Sequence, residues 1–331
     1  MKRLLFILLF LFLQVEIVSM AKVVESTRPY SYDILKQDIA KIHHMNNKIE
    51  VKSIGKTHFG RTIYGIKLGE GKRNIVLIGA HHGREWITTM LLMKKLEVYA
   101  KAYQNQTNFG SLSTDILNDV SIWFIPMLNP DGVTIQQNSL DKFPHDHQNH
   151  LLAMNEGLDN FERWKANGLG VDLNRQYPSG WKAINHQPDS PSYQFYKGKK
   201  PLEAIEVKVL TQFIREINPE IAVAYHSSGE EVFWNYHNGK HLHRDKQIAK
   251  KVSKLTGYKL SKPPKHATGG GFTDWFITHY HRPAFTIEIS PLVGETSPPL
   301  SLFEIEWERN KYVGLTLAEE AKYLKKAKIS R

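Results

Sequence analysis

The sequence predicts an α/β fold, a single domain on a mixed, mostly parallel central sheet with helices on both faces. Three observations carry that expectation. Short β-rich runs alternate with helical patterns, the order that crossover helices impose on a sheet. The run from Asn74 to Ala80 (NIVLIGA) is apolar almost throughout, as a strand covered on both faces is. No repeat of fixed period, Pro/Ser linker or low-complexity tract divides the chain. Taken in order, Ile63 to Leu68 alternates in polarity as a strand does, and the NIVLIGA strand follows. Glu85 to Tyr103 reads as a long helix whose Met90, Leu91 and Met93 are core, and Val120 to Met127 as a second buried strand. Leu140 to Lys200 reads as a long irregular insertion, of a kind that is usually functional or mobile. Pro201 opens a helical pattern that runs to about Ile217 and stops before Asn218-Pro219. Ile221 to Tyr225 and Ala284 to Ile289 are further strands, and Leu302 to Lys325 is a terminal helix. In such sheets, sites gather beyond the carboxyl ends of the strands.

With 331 residues, 41% of them hydrophobic, the chain is too apolar to be wholly disordered. It has no cysteine, which excludes disulfides, Cys-ligated zinc, iron–sulfur clusters and thiol nucleophiles. Any metal must be held by His, Asp or Glu. Lys and Arg number 44 against 33 Asp and Glu, a net charge of +11 that favours anionic partners. Met1-Lys2-Arg3 is a short basic start to an apolar run from Leu4 to Leu13, too short for a span of about 20 residues. Ser19-Met20-Ala21 places small residues where a signal peptidase reads. Residues 1–21 are therefore expected to be a signal peptide and 22–331 the folded domain. The product would be secreted, without a stable membrane span, and would keep a charge of +10 once Lys2, Arg3 and Glu16 are removed. The chain shows no helix-turn-helix, RRM-like or zinc-finger pattern, so nucleic acid is not an expected partner.

The chemistry begins where the strands end. NIVLIGA runs into His81-His82-Gly83-Arg84-Glu85-Trp86, and a histidine and glutamate three residues apart share one side of a tight turn. That spacing selects His82 with Glu85, because His81 lies three before Arg84. His226 follows the strand Ile221–Tyr225 and supplies a third ligand type. Two histidines and a glutamate form a donor set of catalytic zinc sites that leave the fourth position to water. Glu288, in Thr286-Ile287-Glu288-Ile289, is a carboxylate within an apolar strand, costly unless paired or functional.

Six motifs now stand in order: HGREW at 82–86, NPDG at 129–132, GVDLNR at 170–175, YHSSG at 225–229, GGGFTDW at 269–275 and TIEIS at 286–290. Together they resemble the zinc carboxypeptidase family. That resemblance implies one Zn2+ per chain bound by His82, Glu85 and His226, with Glu288 as general base on the attacking water. It matches Asn174 and Arg175 to the pair that receives a substrate carboxylate, and Arg84 to an arginine serving a neighbouring subsite. RWKANGLGVDLNR, YHSSGEEVFWNY and GGGFTDWF are most similar to the bacterial γ-D-glutamyl-meso-diaminopimelate peptidases. The implied substrates are peptidoglycan stem peptides and the implied place is the bacterial cell wall, with the basic surface attracting anionic wall polymers. A monomer is expected.

The chain departs from the family pattern twice. The family's electrophilic arginine commonly follows a Trp, whereas here the order is Arg163-Trp164-Lys165; this order leaves open which of the two cations, if either, meets the oxyanion, and Arg163 is favoured over Lys165. At the mobile tyrosine of the digestive enzymes this chain has His266, a substrate-binding candidate. The segment Glu230 to Tyr236 offers carboxylates for the distal ammonium of diaminopimelate and aromatics for its methylene stem. His145-Asp146-His147-Gln148-Asn149-His150 reads as a solvated polar loop, and Gly69-Glu70-Gly71-Lys72 as a turn lacking P-loop spacing. Two other functions fit the same fold: a broader carboxypeptidase removing C-terminal L-amino acids, and a catalytically dead wall-binding protein. The four competent residues at the catalytic positions disfavour the latter.

Overall fold

A computed structural model describes residues 22–263 and 268–324. The expected signal peptide and His266 lie outside the described residues, as does the end of the terminal helix beyond Leu324. In chain order the elements are α1 (Tyr32–Met45), β1 (Ile49–Lys56), β2 (Thr62–Leu68), β3 (Arg73–Ile78), α2 (Ile87–Gln104), β4 (Val120–Ile125), α3 (Pro130–Gln136), α4 (His145–Met154) and α5 (Ile205–Ile217). They continue with β5 (Ile221–Ser227), β6 (Glu231–Phe233), α6 (Leu242–Thr256), β7 (Lys259–Ser261), α7 (Phe272–Tyr280), β8 (Ala284–Ile289), α8 (Phe303–Asn310) and α9 (Val313–Tyr323).

The strands form one mixed sheet in the order β1-β2-β4-β3-β5-β8-β6-β7. Its centre, β4-β3-β5-β8, is parallel, and β2 and β6 join it antiparallel on either side. The apolar run of β3 has the expected cause. Ile75 and Leu77 face a core built with α1, α2, α6, α8 and α9, while Val76 and Ile78 face a second core built with α5 and α7. Helices therefore cover both faces, and the parallel strands end together on one edge where the site lies.

Several boundaries differ from the sequence expectation. The helical pattern opened by Pro201 becomes helix only at Ile205, because Leu202 adopts a left-handed backbone with φ 57°. The amides of Glu203 and Ala204 instead donate to Gln176 Oε1. The terminal helix is two helices. Lys95 Nζ donates to the Asn310 carbonyl at 2.6 Å and the Tyr99 hydroxyl to that of Lys311, so these carbonyls are claimed by α2 at the break. The insertion from 140 to 200 is largely irregular but carries α4 and a small core of its own around Leu151, Phe161, Trp164 and Tyr193. The histidine-rich stretch expected as a loop is thus helical, and His147 Nε2 donates to the Gly168 carbonyl at 2.7 Å with its ring against Phe59.

Candidate active site

Beyond β3 the chain passes Ala80, enters an extended stretch at His82 and makes a single 3-10 turn from Gly83 to Glu85. That turn brings His82 Nδ1 within 2.7 Å of Glu85 Oε1. His226, near the end of the adjacent β5, places its own Nδ1 at 2.8 Å from Glu85 Oε2. One donor atom from each of the three residues lies within 4.8 Å of the others, and this is the one such cluster among the described residues. All three side chains are buried. The donor set, two imidazole nitrogens and a carboxylate converging on one point without sulfur, fits zinc. Burial works to raise the Glu85 carboxyl, but the imidazoles of His82 and His226 hold it well below its ordinary range. His81 is excluded from this cluster: its Nε2 pairs with the Tyr177 hydroxyl at 3.0 Å, and burial beside His226 and His82 keeps it neutral.

The cluster is held from behind. His82 Nε2 meets Asp172 Oδ1 at 3.1 Å, which turns Nδ1 toward Glu85; such outer carboxylates fix a ligand's tautomer and orientation. Burial would raise Asp172, yet His82 and Lys165 leave it ionised far down the scale. Asn129, of the NPDG motif, caps α3 through the Gly132 amide at 2.9 Å and donates to the His81 and Ala166 carbonyls, each at 3.1 Å. Gly83 packs so closely on this cap that a Cβ there would stand 2.4 Å from the Gly132 carbonyl oxygen.

The sheet itself places the remaining groups. In register across three strands stand His226, Glu288 and Glu231, and two positions along, on the same face, Ala224, Thr286 and Phe233. Alternation turns Tyr225, Ile287 and Val232 into the core and leaves Glu288 and Glu231 on the wall of a cavity of about 510 Å³. Enclosure by protein and the charge of Glu85 push the Glu288 carboxyl well above its ordinary range.

Arg84, Asn174 and Arg175 line the same cavity as His82, Glu85, His226 and Glu288. Asn174 Oδ1 accepts the Phe272 amide at 3.0 Å. Arg84 donates to the Arg163 carbonyl and Gln194 Oε1 and Arg175 to the Asn174 carbonyl; among the described residues neither has a carboxylate partner. Arg163 is not brought to the site. A turn from Phe161 to Trp164 directs its guanidinium to Glu156 Oε2 at 2.7 Å, to Asn155, and onto the Tyr193 ring at 3.8 Å. Lys165 lines the cavity instead, its Nζ 3.9 Å from Asp172 Oδ2, and burial lowers its pKa against the pull of Asp172. Of the two acids in Glu230-Glu231, only Glu231 lines the cavity; Glu230 pairs with Arg309. Lys165 was the other cation that the order Arg163-Trp164-Lys165 offered; Asp172 was missed, although it stands inside the GVDLNR motif.

A model of the zinc carboxypeptidase family (Peptidase_M14) matches residues 35–312. Gamma-D-glutamyl-L-diamino acid endopeptidase 1 of Lysinibacillus sphaericus is 31% identical over 300 residues, covering 90% of this chain and 74% of that protein. The uncharacterized protein YqgT of Bacillus subtilis is 30% identical over 284 residues, covering 85% and 74%. Among solved structures, thrombin activatable fibrinolysis inhibitor superposes with a TM-score of 0.73 at 16% identity, covering 92% of this chain and 78% of that one; at such identity the likeness shows the fold.

Proposed function

The chain belongs to the zinc carboxypeptidase family and is a zinc metallopeptidase, and from that premise we propose that it hydrolyses the γ-D-glutamyl–diaminopimelate bond of peptidoglycan stem peptides outside the cytoplasm. One observation carries the choice of bond. The cavity wall holds three cations, Arg84, Lys165 and Arg175, around Glu288 and the His-Glu-His cluster. A γ-linked D-glutamate keeps its own α-carboxylate free on the residue that supplies the scissile carbonyl, an anion that an ordinary C-terminal peptide lacks on that side of the bond. The likeness to the Lysinibacillus sphaericus endopeptidase supports the same reading.

His82, Glu85 and His226 are the proposed ligands. When bound, zinc supplies Lewis acidity toward a carbonyl oxygen and a water. Glu288 takes the proton of the attacking water and hands it to the leaving amine, which its raised proton affinity favours. Lys165 faces the carbonyl oxygen as negative charge develops there; Arg163, tied to Glu156 and Asn155, is set aside for this role. Arg175 meets the C-terminal carboxylate with a planar pair of donors, and the Asn174 amide adds another. Arg84 receives the glutamyl α-carboxylate. Export through residues 1–21 and action as a monomer complete the reading.

The deciding experiment incubates purified protein with L-Ala-γ-D-Glu-meso-diaminopimelate beside peptides ending in L-Phe or L-Lys, with products identified by mass spectrometry. Release of diaminopimelate from the first is expected. Cleavage of the ordinary peptides alone would assign the broader carboxypeptidase activity, and cleavage of none would leave a binding protein.

A further inference from the structure

The row His226–Glu288–Glu231 contains a carboxylate that this chemistry leaves unused. Glu231 stands directly across from Glu288, and like charges facing one another across a strand pair destabilise a sheet. Its Oε1 accepts a hydrogen bond from the Ser261 hydroxyl at 2.6 Å. Among the described residues it has no lysine or arginine partner, although it shares a cavity with Arg84, Lys165 and Arg175. A second carboxylate, Asp274 in the first turn of α7, lines the same cavity. Its Oδ2 accepts the Gly269 amide at 2.7 Å, it forms no ion pair among the described residues, and burial pushes it up to about 6. The cavity is thus bipolar: three protein cations and two carboxylates stand on its wall without pairing to one another.

We propose that Glu231 and Asp274 receive the ammonium group at the far end of the leaving residue's side chain, so that the cavity selects a diamino acid. The inference rests on the stem-peptide reading above. The leaving residue then satisfies both halves of the wall. Its carboxylate meets Arg175 and Asn174, its methylene stem lies along Phe233 and Trp234, and its ammonium donates charge-assisted hydrogen bonds to the acids. A cation bound there also offsets the repulsion between Glu231 and Glu288.

Two ligands that differ only in the second amine, meso-diaminopimelate and 2-aminopimelate, test this without turnover. Titration calorimetry on the zinc-loaded and the metal-free wild type is expected to show diaminopimelate binding at least about tenfold more tightly, as a hydrogen bond to a charged group implies. In Glu231→Gln and in Asp274→Asn that ratio should fall toward one, and in Glu230→Gln it should stay at the wild-type value. Circular dichroism verifies the fold of each variant, and if Asp274→Asn does not fold, Glu231→Gln alone decides. Equal affinities in the wild type, no binding of diaminopimelate at millimolar concentration, or an undiminished ratio in the Glu231 variant would overturn the proposal. The bond itself is assayed separately on γ-linked and α-linked peptides. Preferential diaminopimelate binding with only α-linked cleavage keeps the pocket and discards the bond; γ-linked cleavage with equal affinities does the reverse.

Discussion

Glu288 and its neighbours make separable contributions at the scale of single residues. Glu288→Gln preserves size and hydrogen bonding but removes the proposed base, so kcat on the stem tripeptide should fall by at least about a hundredfold while elemental analysis still finds zinc. His82→Ala, Glu85→Ala and His226→Ala should each lose the metal in the same measurement, because each removes one of three converging donors. Lys165→Met should reduce kcat by about 10²–10³, the loss seen when one oxyanion donor is removed. Arg163→Met should change it less than about threefold, since that guanidinium serves Glu156 and Asn155. A larger loss in Arg163→Met than in Lys165→Met in steady-state kinetics would return the role to Arg163. These two cations also show where sequence stops being legible. The pair His82 and Glu85 can be read from spacing because both lie within one turn. Arg163 and Lys165 flank one tryptophan, and which of them faces the substrate depends on the turn at Phe161–Trp164 and on the pairing of Lys165 with the Tyr193 carbonyl. Neither contact leaves a periodic trace. Asp172 was hidden likewise, since its partner His82 lies 90 positions away.

Among the elements, the loop after β3 depends on the cap of α3. Asn129 satisfies the Gly132 amide and two carbonyls, one of them at His81, all in the buried interior. Asn129→Ala would remove an N-cap and strand two buried acceptors, a loss of about 2–4 kcal/mol when a cap and unsatisfied carbonyls are taken together. Urea unfolding should register that loss, and zinc affinity should weaken because His82 is only one residue from the anchored carbonyl. An unchanged unfolding midpoint would show that water replaces the amide. The strands β3, β4 and β5 were legible as near-continuous apolar runs, and β2 as an alternating one. The short strands β6 and β7 have three residues each and no such signal. In α4 only Leu151 is fully buried, so HDHQNHLLAM presents no apolar stripe to read. Helix ends were misplaced where a distant side chain decides them, as Gln176 does before α5 and Lys95 after α8.

Over the whole molecule, charge and burial set the response to salt and pH. A domain of charge +10 should bind isolated cell walls through diffuse attraction, and sedimentation assays should show binding falling steeply as salt rises from about 50 to about 500 mM, where screening lengths shrink to a few Å. Salt-independent binding would exclude that mode. The pH response follows from a group outside the lining of the candidate site. Glu206, in the first turn of α5, is fully buried; its two oxygens accept from Asn167 Nδ2 at 3.3 and 3.2 Å. Burial raises its carboxyl from the ordinary 4.5 to about 7. Between those values the folded state binds more protons than the unfolded chain, so stability falls as pH rises through that window and levels off above it. A shift of that size corresponds to roughly 3 kcal/mol at full ionisation, an upper figure because local rearrangement lets water relieve part of it. Glu206→Gln removes the titration and keeps an oxygen acceptor for Asn167. Its stability relative to wild type, from denaturant melts, should therefore rise by roughly 1–3 kcal/mol between pH 5 and pH 8, with little difference below pH 4.5. A constant difference across that range would mean that the Glu206 carboxyl ionises in the folded protein as readily as in the unfolded chain.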